Sequence, residues 1–141
     1  MADRSYGRIT IPRDRAEEAA PILRENGFTC DGFQAFDFEA VGTEWEAEDE
    51  AGGGFNAAEE LEEAGIPFLH EWDNGIEYDS GAAAFDGAEK VECRADHNGE
   101  PLARIGGDGN PNAGDLDAAR RYLAARARVE EIIRRAEETA R

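Results

Sequence analysis

The alternation of apolar and polar positions divides the chain into short strands and three helices. Tyr6 to Pro12 (YGRITIP) reads as a first strand. Asp14 to Asn26 follows as a helix with Ala16, Ala19, Ala20, Ile22 and Leu23 available for burial, and Asn26-Gly27 as its stop. Pro21 inside that segment predicts a kink or a late start. Phe33 to Val41 (FQAFDFEAV) alternates as a strand, with Asp37 and Glu39 on the face opposite Phe36, Phe38 and Ala40. In TEWEAEDE, Glu44, Glu46 and Glu48 alternate with Trp45 and Ala47, which predicts another strand with one acidic face. Gly52 to Gly54 form a hinge before a short helix, Asn56 to Ala64, headed by Asn56 with Glu59 and stopped at Gly65. Ala57, Leu61 and Ala64 face inward there, leaving Glu59, Glu60, Glu62 and Glu63 outside.

Two hairpins follow. In the first, a three-residue loop, Asp73-Asn74-Gly75, sets Trp72 opposite Ile76 and His70 opposite Tyr78, so that the apolar residues share a face. That register also sets Glu71 against Glu77, an unfavourable pair. In the second, VECRADHNGEPLARI, a His97-Asn98-Gly99 loop sets Cys93 against Ala103, Val91 against Ile105 and Glu92 against Arg104. Residues 106–114 form a loop before a C-terminal helix over 115–139 with Asp115 as N-cap. Ala118, Tyr122, Ala125, Val129, Ile132 and Ala136 recur along it at three- and four-residue spacing, widened by Leu116, Ala119, Leu123 and Ile133. The expected fold is one α+β domain over residues 1–141. A mostly antiparallel sheet of hairpins packs with two short helices and the long C-terminal helix, whose stripe also suits a homodimer.

Charge changes this picture. The 141 residues carry a formal net charge of −18. Between Asp31 and Glu100 there are 21 acidic residues against two basic ones, Lys90 and Arg94, whereas the C-terminal segment from Asp115 is nearly balanced. Such a field repels nucleic acid and anionic membranes and attracts basic surfaces. No apolar run approaches the roughly 20 residues of a membrane span, and MADRSYGRITIP has no apolar signal core, so the expected compartment is the cytoplasm. Cys30 and Cys93 are then small buried hydrophobes rather than a disulfide.

Catalytic chemistry finds few parts. Ser5 and Ser80 lack a neighbouring base, and neither His70 nor His97 has a zinc-ligand neighbour at the right spacing. AGGGFN lacks the lysine and spacing of a phosphate loop. The stretch from Asp108 to Ala119 matches a calcium loop at Asp108, Asn110 and Asn112, but has Ala113 where Gly is needed and Ala119 where a bidentate Glu is needed. Neither an enzyme nor a cofactor or metal is expected.

Carboxylates remain as the candidate chemistry. Alternate residues of a strand lie about 6.6–6.8 Å apart, close to two phosphate steps of about 3.4 Å along one DNA strand. Glu44, Glu46, Glu48, Asp49 and Glu50 would form one row, and Glu71, Asp73, Glu77 and Asp79 another, both imitating a phosphate backbone. The competing reading is a solvated surface, or adaptation to a salt-rich cytoplasm; one lysine against 14 arginines fits the latter.

The segment GGGFNAAEELEEAGIPFLHEWDNGIEYDSGAAAF, with its acidic helix, Gly65-Ile66-Pro67-Phe68 turn, Glu77-Tyr78 pair and later charged helix, resembles small uncharacterised acidic proteins of phages and mobile elements. The resemblance covers about residues 52–135. It implies, by class analogy with DNA-mimic anti-CRISPR and anti-restriction proteins, an inhibitor that binds the basic nucleic-acid-binding surface of a host defence complex such as a CRISPR effector. An antitoxin or immunity protein covering a basic toxin, and a halophile housekeeping domain, are the alternatives.

Overall fold

The computed structural model describes residues 6–28, 43–48, 55–72, 79–96 and 98–139. The fold is α+β. Five antiparallel strands form one sheet in the order β2-β1-β3-β4-β5, where β1 is Tyr6–Ile11, β2 Thr43–Glu48, β3 Phe68–Trp72, β4 Gly81–Phe85 and β5 Lys90–Arg94. Three α-helices accompany it: α1 (Ala16–Glu25), entered through a 3-10 turn at Arg13–Arg15, α2 (Phe55–Glu63) and α3 (Ala113–Thr139).

Alternation along the strands divides the core into two layers. Ile9, Ile11, Phe68 and Phe85 point to one face, where they are buried with Ala16, Ala19 and Leu23 of α1 and Ala57, Ala58 and Leu61 of α2. Ala82, Ala84, Val91 and Cys93 point to the other, against Tyr122, Ala125, Val129 and Ile133 of α3. Each fully buried large apolar side chain is worth about 1.5–3 kcal/mol, so the sheet is held from both sides.

Both short helices end in the same device. Phe28 N–H donates to Leu23 O (2.9 Å) and Gly27 N–H to Arg24 O (3.1 Å); Ile66 N–H donates to Leu61 O and Gly65 N–H to Glu62 O (both 3.0 Å). The two glycines have φ of +84° and +72°, and Phe28 and Ile66 drop into the same core, as the Schellman arrangement requires. Pro21 sits inside α1 without ending it. Asn56 is not the N-cap of α2, because the helix already includes Phe55; Ala64 lies beyond its last residue and is exposed, while Ala58 is buried.

The expected first hairpin is corrected. Trp72 pairs with Gly81, Glu71 with Ala82 and His70 with Ala83 on β4, and β1 occupies the other side of β3. Both sides of β3 are thus taken, and Glu71 opposes Arg8 and Ala82 rather than Glu77. The strand GAAAF went unpredicted. All five of its residues are buried, so it shows no alternation to detect. The second hairpin keeps its register only at its tip, where Ala95 bridges Pro101 and Leu102 N–H donates to Arg94 O (2.8 Å). Below the tip, β5 pairs with β4 instead, setting Glu92 opposite Ala83. The expected strand Phe33–Val41, the turn Asp73–Asn74–Gly75 with Ile76 and Tyr78, Cys30 and His97 lie outside the described residues.

The C-terminal helix starts two residues earlier than expected. Asn112 is its N-cap: Asn112 Oδ1 accepts from Asp115 N–H (2.9 Å) and Asn112 O from Leu116 N–H (3.0 Å). Asp115, one turn in, is thereby free to bind Arg104. The stripe Tyr122, Ala125, Val129 and Ile133 lies on the sheet, whereas Leu123 is 42 % exposed.

Candidate functional site

Of the two expected acidic rows, Glu44, Glu46 and Glu48 fall on β2 and Glu71 on β3, the strands that flank β1, while Asp79 precedes β4. Glu44, Glu46 and Glu48 lie opposite Thr10, Arg8 and Tyr6 in the β1–β2 ladder. β2 is an edge of the described sheet. Asp49, Glu50, Asp73 and Glu77 lie outside the described residues.

Glu71 is built into the protein. Arg8 Nη2 donates to its carboxylate across the β1–β3 ladder, and the two side chains are only 31 % and 21 % exposed. The turn over residues 96–100 closes above it: a Cβ on Gly99 would stand 2.6 Å from Glu71 Cδ. Arg126 of α3 reaches the same turn, with Nη1 3.5 Å from Gly99 O and its guanidinium 5.4 Å from the Tyr122 ring centroid. The Tyr122 hydroxyl is buried beneath, with no hydrogen-bond partner of normal geometry among the described residues, and burial pushes its pKa up to about 12.

Asp79 is also neutralised, although exposed. Its carboxylate accepts from Arg94 Nη1 (2.7 Å), and its backbone oxygen accepts from the Trp72 indole N–H (2.9 Å). Arg94 extends to Asp115 (3.6 Å), which accepts from the Arg104 guanidinium and backbone N–H (both 2.9 Å). These Arg104 contacts hold the Asp115 carboxyl below its ordinary value. The expected partner of Arg104, Glu92, is paired with Lys90 instead (3.4 Å).

The same pattern repeats along α3. Arg128 binds Asp86 (3.0 Å), Arg121 binds Glu89 (3.5 Å), and Glu137 binds Arg13 beside α1 (2.8 Å). Glu131 is clamped by Arg134 and Arg135, whose hydrogen bonds lower it to about 2. On this side of the sheet, Asp86, Glu89, Asp115, Glu131 and Glu137 each have an arginine partner. The layer of α1 and α2 differs. Glu59, Glu60 and Glu63 are exposed, and among the described residues none has an ion-pair partner; Glu60 accepts from Asn26 Nδ2 (3.0 Å). Glu62 shares Lys90 (3.3 Å). Their spacing in the sequence places Glu59, Glu60, Glu62 and Glu63 on the outward face of the helix; the pairing of Glu71 is invisible there, because Arg8 lies 63 residues away.

Other chemistry is sparse. Among the described residues no group of three or more His, Cys, Asp and Glu side chains is arranged to hold a metal. The calcium-loop residues have other work: Asp108 accepts from the Asn110 backbone (3.0 Å), and Asn112 caps α3. His70 is buried between Phe55 and Trp72, with ring centroids 5.6 and 4.7 Å away. Cys93 is a buried free thiol that burial pushes up to about 11. No described helix is long and apolar enough to cross a membrane. No family model, curated protein or solved structure matches the chain.

Proposed function

We propose that the protein is a non-catalytic acidic binding protein that docks on a basic, nucleic-acid-binding surface of a partner and competes there with the phosphate backbone. The DNA-binding channel of a CRISPR effector is the leading target class. The observation that carries this reading is a run of unmatched charge on one helix. Arginines neutralise Glu71, Asp79, Asp115 and Asp86, whereas Glu59, Glu60 and Glu63, close together on α2, have no ion-pair partner among the described residues. A carboxylate with an internal partner has little to offer an external one, because docking would first break a pair. Unpaired carboxylates on a helix interact with an incoming arginine directly, over a range set by the Debye length of about 8 Å at physiological salt.

The docking set therefore shifts from the central hairpin toward α2, with the β2 row of Glu44, Glu46 and Glu48 as the second contributor. Glu71 and Asp79 act as braces in this reading. The test compares wild type with Glu60→Lys/Glu63→Lys in capturing host proteins at low and high salt, followed by elution with duplex DNA. Partners held by the wild type should leave with DNA or salt and be lost in the variant. Capture indifferent to DNA and to the reversals would overturn the proposal.

A further inference from the structure

A recess opens between α2 and the strands β3–β5, with a volume of about 310 Å³. Two buried alanines, Ala58 on α2 and Ala83 on β4, line it, and their small side chains leave the space open. Buried His70 lines it and Phe55, 38 % exposed, contributes a ring beside it. Three carboxylates line it, Glu59, Glu62 and Glu92, against one ammonium, that of Lys90. Lys90 stands between Glu62 (3.3 Å) and Glu92 (3.4 Å). Burial alone would lower its pKa, but the two glutamates outweigh burial and raise it. One resident cation is thus held, and negative charge remains in excess.

We propose that this recess receives one arginine side chain of the partner, with its guanidinium against Glu59, the lining carboxylate with no ion pair among the described residues, and its stem along Phe55 and the alanine walls. The inference rests on the reading above that the partner is cationic. Each feature of the lining selects for this occupant. The excess carboxylates exclude anions. A volume near the lower end of ligand pockets, about 300 Å³, suits one side chain rather than a large cofactor. A planar guanidinium both forks onto carboxylates and stacks on an aromatic ring, whereas an ammonium does only the first. The arginine's methylenes gain from the apolar wall while its head stays at the charged rim.

The test uses N-acetylarginine amide as the probe and the His70 imidazole as reporter, in a His97→Gln variant that leaves His70 the sole histidine. Titration should shift the His70 Cε1–H resonance saturably, in the millimolar range. The uncharged N-acetylcitrulline amide should give no shift, and N-acetyllysine amide a weaker one. Glu59→Gln, at an exposed position, should weaken the probe about threefold to tenfold, and Phe55→Ala should weaken it independently. Glu60→Lys/Glu63→Lys should weaken partner capture while the probe still saturates. An unmoved His70 resonance, or equal responses to arginine and citrulline, would overturn the inference even if salt-sensitive capture of the partner persists. Equal responses to arginine and lysine would overturn the assignment to a guanidinium.

Discussion

The indole of Trp72 lies across the bare Cα of Gly81: a Cβ there would stand 2.5 Å from Trp72 Cζ2 and 2.9 Å from the backbone oxygen of Cys93. The two residues are directly paired on β3 and β4, and the indole N–H is fixed by Asp79 O. A methyl group at position 81 meets a packed ring on one side and backbone on the other. Gly81→Ala should therefore destabilise the protein by about 1–3 kcal/mol, the usual cost of overpacking. Chemical denaturation checks this, and a stability equal to wild type would show that the ring has room to move.

The pair of Arg8 and Glu71 predicts that Glu71 is a structural charge. Because both side chains are partly screened by solvent, a double-mutant cycle with Arg8→Ala and Glu71→Ala should give a coupling of about 1 kcal/mol. Glu71→Lys should be worse, about 2 kcal/mol or more, since it sets two cations together beneath the 96–100 turn. Unchanged stability in Glu71→Lys would return Glu71 to the pool of free surface acids.

Cys93 should be a slow thiol. Its pKa is raised from 9.0 to about 11, so at pH 8 the reactive thiolate is about a hundredfold scarcer than for a free cysteine. In a Cys30→Ser variant, iodoacetamide should modify Cys93 at least that much more slowly in the folded protein than in urea. Equal rates would place the thiol at the surface.

Asp86 gives stability a defined acid limit. Its Oδ1 accepts from the backbone N–H groups of Glu89 (2.8 Å) and Ala88 (2.9 Å), and Oδ2 from Arg128 (3.0 Å). The Glu89 hydrogen bond, with those of Ala88 and Arg128, lowers its pKa below the ordinary aspartate value. A carboxyl lowered by folding stabilises at pH values above its unfolded pKa, and that contribution is lost as pH falls through the folded value. Asp86→Ala should cost about 1–2 kcal/mol at pH 7. The gap between variant and wild type should close progressively below about pH 4, and a gap independent of pH would remove the ionised carboxylate from the account.

Features of the chain that depend on a few neighbouring residues were legible in the sequence. The Gly27 and Gly65 stops, the inward faces of α1 and α2, the exposure of the α2 glutamates and the burial of the α3 stripe follow from spacing and backbone chemistry within one or two turns. Tertiary structure alone decided which strands meet. It set β1 between β2 and β3, put GAAAF into the sheet as a strand buried on both faces, and gave Glu71 a cation from the far end of the sequence. The reason is physical: a hairpin register read locally assumes that neighbours in sequence are neighbours in space. Burial of both sheet faces favoured β1 as the partner of β3. That choice determines which acids are matched inside the protein.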